Sequence, residues 1–192
     1  STIFLPLDVS VPGELEAVFA AIEQQWGKLD ILVHSIAWAP KDDLQGGLLN
    51  CSADGFAKSI DISCHSFIRM ARLAVPLMLP KRRGLLVSTT ANLGALPYLR
   101  NLFYDLAKTT PHRIALALAR ELADHRATAV SLSPGWIRSE AMLEHFGVTE
   151  DNWRDGTAKD PHFCITETPH YVARAAVALA ADPDKARFNG QS

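Results

Sequence analysis

The spacing of apolar residues predicts four helices along the chain. Apolar residues in the segment GELEAVFAAIEQQWG (13–27) are spaced i, i+3, i+4 and i+7, which predicts an amphipathic helix that Gly27 ends. A longer helix is predicted over residues 53–79 with Ser52 as its cap, and its predicted buried face consists of Phe56, Ile60, Phe67, Met70 and Met78. The other two are predicted at residues 103–124 and from Pro169, capped by Thr168, to the ADPD segment (181–184).

Short apolar runs between these helices predict β-strands at residues 2–9, 29–37, 84–90 and 127–133. The second run, LDILVHSIA, is almost entirely apolar, which is typical of a parallel strand buried on both faces. Strands that alternate with helices predict an α/β fold with a parallel sheet covered by helices. Ligands of such sheets bind at the carboxyl ends of the strands, so site residues are expected in the segments 8–9, 34–37, 88–92 and 133–139.

Length, charge and cysteine content narrow the range of functions. The chain has 192 residues, which predicts one domain. Its net charge of −2 and pI of about 6.4 argue against nucleic acid or an anionic membrane as a partner. No apolar run is long enough to span a bilayer. The three cysteines are widely separated and the histidines lack metal-ligand spacing, so we expect no metal site, no disulfide framework and a reducing, cytoplasmic location.

The segment NLFYDLAKTT (101–110) places Tyr104 and Lys108 four residues apart in a predicted helix. Residues with this spacing lie on one helix face. A free tyrosine has a pKa of about 10, and a nearby cation stabilises the phenolate and lowers that value. The pair therefore predicts an acid/base tyrosine tuned by a lysine, suited to proton transfer while a hydride moves to or from a nicotinamide.

A predicted strand precedes Tyr104 and Lys108, and the segment SPGWIRS (133–139) follows them. In this order of features the chain resembles the short-chain dehydrogenase/reductase superfamily. The resemblance covers nearly the whole chain and implies a Rossmann-type domain that binds NAD or NADP and transfers hydride. It implies Tyr104 as acid/base and Lys108 as its tuner and ribose ligand. The family's usual serine position is occupied by Ala91, and the nearby Thr90, or Ser88, is expected to orient a substrate oxygen. The remaining implied cofactor contacts are Asp8, Val9, His34, Ser35, Ile36, Ala37, Pro134, Gly135, Trp136, Ile137 and Ser139. For His34 a purely structural role fits equally well.

The two parts of the chain resemble different subfamilies. Residues 1–80, with LVHSIAWAPKDDLQGG and DISCHSFIRMARLAVPLM, resemble bacterial enoyl-acyl-carrier-protein reductases that use NADH. Their active-site tyrosine lies seven residues before the lysine, where this chain has Asn101. Residues 84–192, with RNLFYDLAKT and LSPGWIRSEAMLEHFGVTEDNWRD, resemble short-chain dehydrogenases of the carbonyl/alcohol type. A divergent natural protein, a fused gene and a chimera all fit this pattern.

The resemblance also sets expectations for completeness and partners. No segment matches Gly-x-x-x-Gly-x-Gly, and the chain stops at FNGQS (188–192), so we expect a Rossmann-type domain that is incomplete at both ends. The favoured function is oxidoreduction of a carbonyl or alcohol, with enoyl-thioester reduction or an inactive assembly module as alternatives. A small-molecule or acyl-thioester substrate and a homodimer or homotetramer are expected. Residues 139–165 are expected to form a lid over the substrate.

Overall fold

A three-stranded parallel sheet, in the order β1–β2–β3, is the centre of the computed structural model, which describes residues 2–44, 47–81, 83–91 and 102–192. The strands are β1 (Ile31–His34), β2 (Gly84–Thr89) and β3 (Ala127–Leu132). Their register pairs Leu32 with Leu86 and Leu86 with Ala129. The parallel sheet and the helices between its strands confirm the predicted α/β, Rossmann-type class.

Six α-helices lie in the described residues. Their bounds are α1 (Glu14–Trp26), α2 (Ala53–Ile60), α3 (Ser66–Met78), α4 (Leu102–Glu121), α5 (Glu140–Phe146) and α6 (Pro169–Ala181). Short 3-10 segments occupy Lys41–Leu44, Leu48–Asn50, Leu79–Lys81, Ala123–His125, Trp153–Ala158, Pro161–Ile165 and Lys185–Phe188. The predicted end of α1 is confirmed, because Gly27 adopts a left-handed conformation (φ 65°) and its N–H reaches the Glu23 carbonyl.

A π turn, Asp61–His65, interrupts the long helix predicted over residues 53–79. Ser52 caps α2 as predicted, since its hydroxyl accepts the Gly55 N–H at 3.0 Å. The wider π turn shifts the buried face by one residue. Gly55 and Ser59 are therefore buried and Phe56 is exposed, so the predicted burial of Phe56 is wrong, whereas that of Phe67, Met70 and Met78 is confirmed.

The hydrophobic core lies on one face of the sheet, beneath α1, α3 and α4. It is formed by Leu15, Phe19, Leu32, Phe67, Met70, Ala71, Ala74, Met78, Leu86, Ala119, Ala127 and Ala129. On the opposite face Leu85 and Val87 are also buried, but Ile31 and Val33 of β1 are 42% and 51% exposed. The prediction that this strand is buried on both faces is therefore wrong for its outer face.

The strand predicted at residues 2–9 is absent. This segment pairs with none of the three strands, and the side chain of Phe4 is exposed. An apolar run becomes a strand only where a neighbouring strand satisfies its backbone groups, and within the described residues β1 pairs only with β2. At the other sheet edge, the segment 189–191 lies along β3, with Gly190 N–H on the Ala129 carbonyl at 2.8 Å.

The chain forms two compact units where the sequence pattern predicts one domain. The first contains the residues up to Ser133 together with Asp184–Ser192, and the second is Pro134–Pro183. The sheet and helices α1 to α4 belong to the first unit, and α5 and α6 belong to the second.

Candidate active site

A polar row ends the apolar core at the carboxyl ends of the strands. The register pairs His34 of β1 with Ser88 of β2, and Ser88 with Ser131 of β3. All three residues are buried and lie on the core face, two positions after the apolar row of Leu32 and Leu86. Side chains that alternate along a strand place this polar row beside α3 and α4.

The side chain of His34 contacts Ser66, Ser88 and Phe67 within the protein. Its Nε2 lies 2.8 Å from Ser66 Oγ and its Nδ1 lies 3.3 Å from Ser88 Oγ, while its ring packs on Phe67 at 5.1 Å between centroids. Burial and, as a smaller cause, the nearby charge of Lys108 lower the pKa of His34 to about 4. Both ring nitrogens thus have partners within the protein, as expected for a structural histidine. A cofactor contact at this residue is then expected to involve its backbone.

Tyr104 and Lys108 lie one turn apart on α4, as the sequence predicts. The Tyr104 side chain is 40% exposed and Lys108 is partly buried. Burial raises the pKa of Tyr104, and the carboxylate of Asp105 raises it further. This direction is opposite to the lowered pKa that the pairing with Lys108 predicts. Burial also lowers the pKa of Lys108, so both groups are shifted toward their neutral forms.

Thr90 lies at the end of β2, but its hydroxyl faces α4. The hydroxyl donates to the Lys108 carbonyl and lies 3.0 Å from His112 Nε2, while the Thr90 N–H donates to the Leu132 carbonyl at 3.0 Å. The residue is 2% exposed. The structure therefore shows a hydrogen bond from the Thr90 hydroxyl to the backbone at Lys108, and the contact with a substrate oxygen stays a prediction.

His112 also belongs to this site, although the sequence pattern suggested no role for it beyond that of a metal ligand, for which the spacing is wrong. Its Nδ1 lies 3.0 Å from Ser131 Oγ, and its Nε2 also lies 3.4 Å from the Ala91 carbonyl. Its position four residues after Lys108 was an available signal, because both residues must share one face of the helix.

The predicted cofactor residues of the first unit fall into two groups. After β1, Ser35 and Ala37 are small and exposed, and Ile36 packs against the core. Near the start of the chain Val9 is buried and Asp8 is exposed. The Ser10 hydroxyl and the Ser10 N–H both donate to Asp8 Oδ1, at 2.7 and 2.8 Å, and these bonds lower the pKa of Asp8.

The predicted cofactor residues of the second unit form a turn held by Glu167. The Gly135 N–H donates to Glu167 Oε1 at 2.8 Å, and the Glu167 N–H donates to the Trp136 carbonyl at 2.8 Å. Ile137 forms a parallel bridge with Glu167. Pro134 precedes this turn, and Ser139 follows it as the cap of α5, accepting the Met142 N–H at 3.3 Å.

The segment predicted as a lid contains an aromatic cluster. Phe146 stacks on Phe163 at 4.0 Å between ring centroids, and Trp136 and Trp153 approach Phe163 edge-on. The buried guanidinium of Arg138 lies 4.0 Å from the Trp153 ring centre and pairs with Glu150 at 2.6 Å. Residues 139–165 thus have an ordered interior in addition to their polar surface.

The residues of the first unit fit a dinucleotide in two respects. The small exposed side chains of Ser35 and Ala37 leave the backbone at the end of β1 accessible, as close approach to a cofactor requires. Lys108 brings an ammonium group, suited to a ribose hydroxyl or phosphate, to the same end of the sheet. Lys108 is close enough to the end of β1 for its charge to lower the pKa of His34.

Across residues 2–44, 47–81, 83–91 and 102–192, no helix is both long and apolar enough to cross a membrane. Within the same ranges no group of three or more histidine, cysteine, aspartate or glutamate side chains is arranged to hold a metal ion.

Several known proteins of similar sequence are named enoyl-(acyl-carrier-protein) reductases. The family described as enoyl-(acyl carrier protein) reductase matches residues 1–192, and thus both parts of the chain that resemble different subfamilies. The enoyl-(acyl-carrier-protein) reductase (NADH) of Aquifex aeolicus strain VF5 is 30% identical over an alignment of 148 residues, and the match covers 70% of this chain and 50% of that protein. The chain spans about half the length of the curated relatives it matches.

Two solved structures of similar fold are also named enoyl-(acyl-carrier-protein) reductases. The crystal structure of the Aquifex aeolicus reductase superimposes with a TM-score of 0.77 at 28% identity, covering 96% of this chain and 70% of that chain. The reductase of Anaplasma phagocytophilum in complex with NAD gives a TM-score of 0.64 at 27% identity, covering 73% and 54%. The sequence match and the shared fold together show that this chain belongs to the enoyl-(acyl carrier protein) reductase family, within the short-chain dehydrogenase/reductase superfamily.

Proposed function

We propose that this chain forms the catalytic part of an NADH-dependent reductase in which Tyr104 is the proton donor. The observation that carries this proposal is the position of the Tyr104 phenol, 40% exposed and one helical turn from the partly buried Lys108, at the carboxyl end of a parallel sheet. The relatives that are named NADH-dependent reductases support the choice of cofactor, as does the related structure solved with NAD.

In the first unit, Asp8, Val9, the backbone of residues 34–37 and the Lys108 ammonium would hold the cofactor, and Ser35 and Ala37 leave the backbone after β1 exposed. When bound, a reduced nicotinamide supplies a hydride. The cofactor contacts expected at Pro134, Gly135, Trp136, Ile137 and Ser139 in the second unit stay a prediction from the sequence.

Tyr104 supplies the proton that balances the hydride. Because burial raises the pKa of this phenol, Tyr104 is protonated at neutral pH and is ready to act as an acid. Its hydroxyl donates to the substrate oxygen on which negative charge develops, and it releases its proton there. The Lys108 ammonium then stabilises the phenolate that remains.

The substrate we propose is an enoyl thioester carried by acyl carrier protein, because the family match and the named relatives all point to this class. Hydride addition to the β-carbon of such a substrate places negative charge on the thioester oxygen. Tyr104 is suited to protonating the resulting enolate.

Reduction of a carbonyl is the second candidate. It is favoured by the spacing of four residues between Tyr104 and Lys108, which resembles that of carbonyl/alcohol-type short-chain dehydrogenases. In that reaction the hydride adds to the carbonyl carbon, and Tyr104 protonates the alkoxide oxygen. Both reactions therefore use the same donor, and they differ only in the carbon that accepts hydride.

The protein is proposed to act as a homodimer or homotetramer. Residues 139–165 are proposed to close over the substrate. The exposed Ile165 side chain, close to the buried Phe163 cluster, gives the segment an apolar surface for an acyl chain. A lid built on a packed aromatic cluster is expected to move as a body, with the movement at its ends.

The test is a comparison of two thioester substrates with the purified protein and NADH. Crotonyl thioester offers a conjugated C=C bond, and acetoacetyl thioester offers a ketone. Loss of NADH absorbance with the crotonyl substrate alone supports the enoyl reductase proposal, and loss with the acetoacetyl substrate alone supports carbonyl reduction.

Identification of the product by mass spectrometry provides the control for each reaction. If neither substrate is consumed and NADH does not bind in a fluorescence titration, the reductase proposal is wrong. The remaining alternative is then an inactive assembly module, which size-exclusion chromatography of the protein with acyl carrier protein would detect.

A further inference from the structure

The side chain of His112 connects three elements of the first unit. It lies on α4 four residues after Lys108, its Nδ1 contacts Ser131 on β3, and its Nε2 contacts Thr90 at the end of β2. Thr90 in turn donates to the Lys108 carbonyl. A chain of hydrogen bonds therefore leads from Ser131 in the sheet through His112 and Thr90 to the backbone carbonyl of Lys108.

The acceptors in this route fix the direction of each hydrogen bond. The Ala91 carbonyl, 3.4 Å from His112 Nε2, can only accept, so Nε2 carries a proton. The Thr90 hydroxyl gives its own proton to the Lys108 carbonyl and accepts from Nε2. In the neutral ring Nδ1 then accepts from the Ser131 hydroxyl. Hydrogen bonds that all run in one direction strengthen one another.

Pro111 lies in the same turn of α4. Proline has no N–H, so Pro111 cannot donate to the Ala107 carbonyl one turn earlier. The helix nevertheless continues through Pro111 to Glu121. The turn that contains Lys108 has thus lost one internal hydrogen bond, and Thr90 holds the neighbouring carbonyl from outside the helix.

We propose that His112 is a positioning residue for the reductase site: through Thr90 it fixes the backbone at Lys108 and hence the ammonium group. This inference rests on the proposed function, in which Lys108 stabilises the Tyr104 phenolate and contacts the cofactor. His112 itself touches neither substrate nor cofactor.

Two pairs of variants separate the effect of losing a hydrogen bond from the effect of changing the volume of the side chain. His112→Leu removes both ring nitrogens at similar volume, whereas His112→Gln retains an N–H donor toward Thr90. Thr90→Val removes the hydroxyl that bonds the Lys108 carbonyl, whereas Thr90→Ser retains it. The matched control is Thr110→Val, because the Thr110 hydroxyl donates to the Leu106 carbonyl of the same helix at 2.7 Å without any link to β2.

Steady-state kinetics and NADH titration provide the first readout. We expect His112→Leu and Thr90→Val to lower kcat by about 10- to 100-fold, the loss typical of a catalytic group misplaced by about 1 Å, and to weaken NADH binding. KM for the thioester should change little. His112→Gln and Thr90→Ser should recover most of the loss, and Thr110→Val should match the wild type. Thermal unfolding of every variant excludes loss of fold as the cause.

Nuclear magnetic resonance of protein labelled at the ε-carbon of lysine provides a readout that needs no activity. The Lys108 signal, assigned with Lys108→Arg, is expected to move in His112→Leu and Thr90→Val and to stay in Thr110→Val. Unchanged kinetics, or an unchanged Lys108 signal, in the folded His112→Leu and Thr90→Val variants would overturn the inference. If the wild type reduces no substrate, the proposed function fails, and the Lys108 signal alone then decides whether His112 positions this residue.

Discussion

Tyr104 determines how the proposed site handles its proton. We expect Tyr104→Phe to lower the rate of reduction by about 10²- to 10⁴-fold, the usual contribution of a general acid, and to leave NADH affinity nearly unchanged because only a hydroxyl is lost. Since burial raises the pKa of Tyr104, this donor should remain protonated through the neutral range and should lose its proton at a higher pH than a free tyrosine. Stopped-flow measurement of hydride transfer across this pH range checks both points.

Tyr171→Phe is the matched control for this substitution, because Tyr171 presents an exposed phenol on α6. A Tyr104→Phe variant that kept more than about a tenth of the wild-type rate would show less loss than a general acid produces. Another group would then have to supply the proton. Lys108→Ala should reduce both the rate and NADH affinity, because the same ammonium serves both.

His34 makes the stability of the fold depend on pH. Its pKa is about 4 in the folded chain against 6.5 for an ordinary histidine, so the unfolded chain binds more protons between these values. The contribution of neutral, buried His34 to the free energy of unfolding is therefore fully present above pH 6.5 and is lost as the pH falls toward 4. A shift of this size corresponds to about 3 kcal/mol of unfolding free energy, which urea unfolding at a series of pH values measures.

His34→Gln should be less stable than the wild type at neutral pH, since Ser66 and Ser88 lose their partner, but its stability should fall less steeply over this range. His125→Gln, a change at an exposed histidine, should keep the wild-type slope. Equal slopes for all three proteins would show that His34 is not the group responsible.

At the scale of elements, the cap of α2 is the clearest test of local structure. Ser52 Oγ accepts the Gly55 N–H at 3.0 Å and donates to Asp43 Oδ2 at 2.5 Å. Ser52→Ala should therefore cost about 1 kcal/mol of unfolding free energy. Thr168→Ala is the control, because Thr168 occupies the cap position of α6 without a side-chain cap bond, and calorimetry should show almost no change. Equal losses would mean that the Ser52 bond is not what stabilises α2.

Element ends were predictable where one residue decides them. Gly27 ends α1 and Ser52 starts α2 through contacts with their own helices, which lie within a few residues in the sequence. The buried face of α2 was not predictable, because the hydrophobic pattern favours Phe56 over Gly55 and Ser59, and only the π turn reverses that choice. The bond between His112 and Ser131 depends on a distant strand, so spacing along α4 alone could not reveal it.

At the scale of the whole molecule, the outer face of β1 is an apolar surface at the edge of the sheet. Ile31 and Val33 are exposed beside the edge of the sheet, and exposed apolar edge strands favour pairing with other chains. We expect Val33→Lys to reduce concentration-dependent association, measured by light scattering, with little change in thermal stability. Val177→Lys, at an exposed apolar position on α6, is the control, and an equal effect of the two substitutions would contradict a specific role for β1.

The π turn at Asp61–His65 makes the connection between β1 and β2 sensitive to its own length. Ser63 in this turn accepts the Trp38 N–H at 2.9 Å and donates to the Trp38 carbonyl at 3.0 Å, so the turn also holds the loop after β1. Deleting one residue here would restore ordinary helical pitch and rotate α2 by about 100°, bringing Phe56 inward and releasing Trp38. Insertions and deletions among relatives are therefore expected in the flanking loops and not within residues 61–65.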